Sequence, residues 1–284
     1  MKVLDDTQTD LERLIAADFG VSSTGDYHAD FVNWIHYRAR RIPQLPRKVF
    51  VSQQIMLQQA KFPALERIRT ALILGDDVGP WLSESARKNK SNHRADMMFN
   101  DWQIVHFHLG GFFQSPTTVR RSGPILFVHI TAEHATLLDI QPHGGWTKTS
   151  MLEILLHTNP AALERYEARA VTPMRLSDNQ YKNLRANGGN SLIEIDGRAF
   201  MPGGGILSSG HASRLYFYRD WFFRMVEKLQ KDLEADLVEP NLRGAIYAQL
   251  GIPVRLGAYY DHNGMAIIDK SRNGLVLHQM KPLE

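Results

Sequence analysis

The chain has 284 residues, of which 43% are hydrophobic and 22% charged, with a formal net charge of +3 at pH 7. This composition is ordinary for a globular protein of one or two domains and argues against global disorder. The absence of cysteine excludes disulfides, thiolate-bound metals and a cysteine nucleophile. No apolar run approaches the ~20 residues of a membrane-spanning helix. Because the acidic N-terminal stretch also lacks the apolar core of a signal peptide, we expect a cytoplasmic protein.

The first third of the chain is predicted to be helical. Its helices are marked by capping residues, by closing glycines and by apolar side chains at helical spacing. Thr9 and Glu12 have the spacing of a capping box at the start of the first helix. The predicted segments, in chain order, are Thr9–Gly20, 28–41, and a segment that begins at Ser52, restarts at Pro63 and ends at Gly75.

Three strands are predicted in the middle of the chain, over 102–109, 124–131 and 135–141. Their residues are apolar or alternate between apolar and polar, as is typical of strands. The last two are separated by only three residues and therefore form a hairpin. Such an apolar hairpin favours the centre of an antiparallel sheet.

The last part of the chain combines helices with a small β region. Predicted helices lie at about 148–157, 160–170 and 213–236, and Ser177 with Gln180 forms a further capping box. The aromatic residues Trp221, Phe222 and Phe223 are interpreted as core. Asn-Gly turns separate three final strands, which indicates a meander.

The fold class is therefore α+β, with N-terminal helices, a central antiparallel sheet, and a C-terminal helical region that ends in a three-stranded meander. A boundary at 172/173 would divide the chain into 1–172, which contains the His-rich sheet and the candidate catalytic site, and 173–284, an α+β region without a predicted role.

The candidate chemistry begins with His106 and His108 in the first central strand. Alternate residues of a strand share a face, so the two imidazoles project together. Two imidazoles on one face suit acid/base catalysis or metal binding. The alternative is structural, with one histidine hydrogen-bonded to a carbonyl at the rim and the other solvated.

Two residues of the third central strand and its end extend this candidate site. His143 follows the strand in a turn shaped by proline and glycine, where functional groups often gather. Asp139 lies between apolar residues, and burial of its carboxylate requires a partner. The predicted partners are His106, Arg120 and Arg121.

Basic residues precede the hairpin and the first central strand. Arg120 and Arg121 lie just before the hairpin, and guanidinium groups bind phosphates and stabilise charge in phosphoryl transfer. A basic run further upstream suits contact with a phosphate backbone, although a charge run of this kind is usually a solvated segment. The predicted RNA-binding residues are Arg87, Lys88, Lys90, Arg94 and Arg120.

The segments DWQIVHFHLG and RRSGPILFVHITAEHATLLDIQPHGGW resemble the strand meander of RelE/HigB-type toxin ribonucleases. The resemblance covers about residues 99–148, and it implies a phosphate-contacting role for Arg121 and a catalytic position at a strand end for His143. Two features depart from the family. His106 and His108 replace the usual arginine or lysine of the first strand, and the chain extends well beyond the block on both sides. Metal-independent endoribonucleases with two catalytic histidines are an equally fair comparison.

Three functions remain open on the sequence. The first is a metal-independent endoribonuclease without a cofactor, in which His106 or His108 is the general base, His143 the general acid, and Arg121 stabilises charge. The second is a metal-dependent hydrolase or oxygenase, with Zn²⁺ or Fe²⁺ held by His106, His108, Asp139 and His143. The third is a binding module without catalysis. The expected partner is RNA, a protein regulator is a second candidate, and no membrane partner is expected.

Overall fold

The computed structural model describes residues 1–282 except 21–24, 84–85, 87–96, 111–112, 116–117, 122, 143–148, 174, 204, 206, 208–210 and 250. The chain forms two compact units. The first combines Met1–Ala39 with the chain from Leu215 onward, and the second comprises Arg40–Arg214. The boundary position at 172/173 falls inside the second unit.

The structure contains both helices and strands and belongs to the α+β class. The described helices are α1 (Thr7–Phe19), α2 (Tyr27–Ala39), α3 (Gln53–Gln58), α4 (Ala64–Leu74), α5 (Met97–Trp102), α6 (Ser150–Thr158), α7 (Ala161–Glu164), α8 (Asp178–Ala186), α9 (Ser213–Glu234) and α10 (Pro240–Tyr247). The described strands are β1 (Val3–Asp5), β2 (Lys48–Val51), β3 (Ile104–His108), β4 (Phe113–Ser115), β5 (Thr118–Val119), β6 (Pro124–Ile130), β7 (His134–Pro142), β8 (Glu167–Ala168), β9 (Ile193–Ile195), β10 (Arg198–Phe200), β11 (Val254–Asp261), β12 (Gly264–Asp269) and β13 (Leu275–Gln279). None of the helices in these described ranges is long and apolar enough to cross a membrane.

Most of the predicted helix signals act as expected. The Ser52 hydroxyl accepts a hydrogen bond from the Ile55 amide at 3.2 Å and begins α3. Gly75 ends α4 in the left-handed conformation, with φ of 79°. Ser177 forms the reciprocal capping box of α8. The predicted box at Thr9 is wrong, because α1 begins earlier, at Thr7, after an Asp6 whose side chain makes no capping hydrogen bond.

The first unit contains a four-stranded sheet in the order β1-β11-β12-β13. The predicted meander of β11, β12 and β13 is confirmed, and its strands are antiparallel. β1 adds a parallel strand beside β11, which the sequence did not predict. The ring of Trp34 in α2 packs against the ring of Tyr260 in β11, with centroids 5.1 Å apart.

The second unit contains a four-stranded sheet in the order β2-β7-β6-β3. The three predicted central strands are confirmed as adjacent and antiparallel, and β2 joins them as a parallel neighbour of β7. One face packs against α6 through a buried cluster that includes Ile104, Ile125 and Phe127 from the sheet and Leu152 and Leu155 from the helix. Burial of such side chains is the main favourable contribution to folding.

The predicted helix over 160–170 is wrong. α7 ends at Glu164, and the chain continues into β8, which pairs with β10 in a small sheet of the order β8-β10-β9. Met201 supports the change of direction, because its amide donates to the Tyr166 carbonyl at 2.7 Å. The helix is therefore shorter than predicted, because the residues after it pair with a strand that is distant in sequence. A local sequence pattern carries no information on such pairing.

Candidate functional site

His106 and His108 lie on the same face of β3, as predicted. Their ring centroids are 6.0 Å apart and their planes meet at 75°. They differ in exposure, because His106 is half-buried and His108 is only 4% exposed. His106 is therefore the more exposed imidazole of the pair, and His108 is its packed neighbour on the same face, where Ile125 and Phe127 belong to the buried cluster with α6.

The sheet register defines which residues accompany the histidine pair. Residues that face each other on adjacent strands point to the same side of the sheet. Two rows cross the face that carries the pair, and they are His106–Phe127–Asp139 and His108–Ile125–Gln141. The two polar ends of each row are thus separated by an apolar residue of β6.

Three chain segments meet at one end of this sheet. His108 ends β3, β6 begins at Pro124, and β7 ends at Pro142, which pairs with Pro124. Arg121 comes shortly before β6, and His143 is the next residue after β7, although His143 itself lies outside the described residues. The register therefore places three parts of the chain at the same end of the sheet. They are the end of β3, the segment that follows Arg121 and the end of β7 just before His143.

Gly110 fixes the segment before β6 against the end of β3. A Cβ atom at Gly110 would lie 1.9 Å from the Arg120 carbonyl oxygen, so the two backbones are closer than any larger residue permits. The Arg120 backbone therefore lies against Gly110, which follows His108 by two residues. The side chains of Arg120 and Arg121 are exposed.

Replacement of Gly110 by alanine tests this contact. We expect Gly110→Ala to lower stability by about 1–3 kcal/mol, as overpacking does, and to reduce any activity that depends on Arg121, because the segment must move away. Gly123→Ala is the matched control, since a Cβ there meets nothing within 4 Å. Thermal melts that are equal for the two variants would contradict the contact.

Asp139 does not have the predicted partners. Its carboxylate accepts hydrogen bonds from the Gln58 amide at 3.3 Å, the Gln141 amide at 2.5 Å and the Ile140 backbone at 2.8 Å. His106 lies two strands away, which corresponds to roughly 10 Å at the usual strand spacing. The predicted pairing with His106, Arg120 or Arg121 is therefore wrong, because the nearby side-chain amides satisfy the carboxylate instead.

The alternative metal set is not assembled by the residues that the structure describes. Among them, no group of three or more histidine, aspartate or glutamate side chains has the geometry to hold a metal ion. His106, His108 and Asp139 thus form no three-ligand site, and the fourth predicted ligand, His143, lies outside the described residues.

Arg40 is a candidate that the sequence reasoning missed. Its side chain is buried, and it lines a small cavity of about 10 Å³ together with Ser83 and His106. A cavity of this size holds at most one water molecule. Arg40 therefore brings a buried cationic side chain to the same cavity that His106 lines. The arginines among residues 38–41 were the only sequence signal for a cation here. This signal was weak, because only the fold shows which of these side chains is buried.

His129 of β6 is a core residue. It is 0% exposed, and burial lowers the pKa of its imidazole to about 3. The side chain is therefore neutral at physiological pH. Among the residues that the structure describes, neither ring nitrogen of His129 has a hydrogen-bond partner.

The basic run predicted to bind RNA, Arg87, Lys88, Lys90 and Arg94, lies outside the described residues. No family model matches the chain, and comparisons with curated proteins and with solved structures found no match.

Proposed function

We propose that the chain is a metal-independent endoribonuclease of the toxin type, with its active site at the end of the sheet where β3, β6 and β7 meet. The observation that carries the proposal is the pair His106 and His108, held on one face with rings 6.0 Å apart. A half-buried imidazole beside a second imidazole suits proton transfer near neutral pH.

The chemistry needs only groups that this edge of the sheet can supply. RNA carries its own nucleophile, the 2′-hydroxyl, so the protein must remove its proton, stabilise the charged phosphorane and protonate the leaving 5′-oxygen. The 2′-oxygen bonds to phosphorus, the bond from phosphorus to the 5′-oxygen breaks, and the products are a 2′,3′-cyclic phosphate and a 5′-hydroxyl.

The roles follow from exposure and chain position. His106 accepts the proton of the 2′-hydroxyl, because it is the more accessible member of the pair. His108 positions the His106 ring by packing against it. His143 is the proposed acid, and Arg121 with the inward Arg40 stabilises the phosphorane charge.

Cleavage of matched oligonucleotides tests the proposal. A single-stranded RNA should be cut in EDTA and should yield a 2′,3′-cyclic phosphate, whereas the same oligonucleotide with 2′-deoxy sugars should stay intact. Expression of the protein should also inhibit growth of the host. Equal cleavage of both oligonucleotides, cleavage that EDTA abolishes, or intact RNA under all conditions would each overturn the proposal.

A further inference from the structure

An unusual surface lies on α9 in the first unit. The side chain of Phe217 is 65% exposed and that of Trp221 is 50% exposed, although Trp221 was interpreted from the sequence as core. Phe222, the next residue, is fully buried and packs against Phe31 of α2, with ring centroids 5.7 Å apart. The helix therefore uses Phe222 for the core and leaves Phe217 and Trp221 to solvent.

Basic residues lie on the same side of α9, after the two exposed aromatic residues. Residues spaced by three or four positions lie on one face, and this spacing connects the aromatic pair to three exposed cations. The aromatic–basic face consists of Phe217, Trp221, Arg224, Lys228 and Lys231. At 1.5 Å per residue it extends over about 21 Å.

We infer that the aromatic–basic face binds single-stranded RNA. Aromatic rings that stack on bases, placed next to cations that follow the backbone, are the combination that single-strand binding requires. Both rings lie at one end of the face and the cations at the other, so a strand can stack on Trp221 while its phosphates meet Arg224 and the lysines.

The neighbouring charges permit this contact. Lys228 forms an ion pair with Asp232, and Lys231 pairs with Glu227 at 2.6 Å. The lysine side chains are 62% and 70% exposed, and exposed pairs of this kind contribute little to stability. Each ammonium group can therefore exchange its carboxylate for a phosphate at small cost.

The same composition disfavours a protein partner. The buried centres of protein–protein interfaces are depleted in lysine and glutamate, whereas this face carries lysines along half of its length. His278 of β13 also contacts the Trp221 ring, with centroids 6.2 Å apart, and holds the indole in place for stacking. The choice of RNA as the nucleic acid rests on the proposed function.

Binding of a nuclease-resistant strand tests the inference separately from catalysis. A fluorescein-labelled 2′-O-methyl oligoribonucleotide lacks the nucleophile and cannot be cleaved by the proposed chemistry. We expect Phe217→Ala and Trp221→Ala in the full chain each to weaken its binding by roughly 5- to 100-fold, the usual effect of losing one stacked base. Arg224→Gln should reduce the salt dependence of binding.

Leu237→Ala is the matched control, because Leu237 is an equally exposed apolar residue of the same unit, at 68%. All three alanine variants should melt like the wild type. Intrinsic fluorescence should change on binding in the wild type, and this change should be smaller in Trp221→Phe, which keeps a ring for stacking.

Two results would overturn the inference. One is an affinity for the oligonucleotide that is the same in Trp221→Ala and Leu237→Ala. The other is a dimer detected by light scattering that Trp221→Ala disrupts without any change in RNA binding, which would make the face an interface between copies. Failure of RNA cleavage with intact binding would overturn the proposed function and leave this inference standing.

Discussion

His106→Ala is expected to reduce RNA cleavage by about 10²- to 10⁴-fold, the usual loss on removal of a general base. The same change should lower the free energy of unfolding by about 1 kcal/mol or less, because a half-buried side chain at a strand near the sheet edge contributes little packing. The two effects should therefore separate in parallel cleavage assays and thermal melts.

His134→Ala is the matched control for this prediction. His134 begins β7 at the hairpin, the end of the same sheet that lies away from the proposed site. We expect its removal to leave cleavage nearly unchanged. If His106→Ala cleaves RNA like the wild type, or if His134→Ala loses as much activity, the proposed role of His106 is wrong.

His108→Ala is a less discriminating variant. His108 is only 4% exposed, so its truncation leaves a cavity in the sheet face. We expect a loss of both stability and activity there. For this reason the His106→Ala variant, and not His108→Ala, is the test of the proposed catalytic role.

Asp101→Ala is expected to lower stability by about 3–5 kcal/mol, the usual cost of leaving a buried charge without its partner. The Asp101 carboxylate forms an ion pair with Arg185, and both side chains are essentially inaccessible to solvent. The Tyr181 hydroxyl donates to the same carboxylate at 2.8 Å and the Arg185 Nε at 3.1 Å. Burial raises the pKa of Asp101, while Arg185 and Tyr181 oppose that rise by stabilising the ionised form.

The measurement is a chemical denaturation curve for each variant. Asp101→Leu combined with Arg185→Met should recover part of the loss, because no unpaired charge then remains in the core. Glu194→Ala is the control, since Glu194 pairs with the exposed guanidinium of Arg175 and exposed pairs contribute little. A loss for Asp101→Ala as small as that for Glu194→Ala would show that the buried pair is dispensable.

The sequence determined those features of the fold that depend on local chemistry. The hairpin of β6 and β7 and the pairing of His106 with His108 on one face follow from alternation with period two. Ser52, Gly75 and Ser177 bound their helices because capping involves only neighbouring residues. The end of the sheet at which we place the candidate site was predicted from the same local patterns.

Tertiary structure alone decided which distant segments meet. The short strands β1 and β2 gain their hydrogen-bonding partners from β11 and β7, and a strand of three or four residues has no pattern strong enough to predict such pairing. The approach of Gly110 to Arg120 and the inward turn of Arg40 likewise depend on backbone paths that a sequence window does not contain. Trp221 and Phe222 are adjacent aromatic residues, and only the packing of α9 buries Phe222 and exposes Trp221, because neighbouring positions on a helix point about 100° apart.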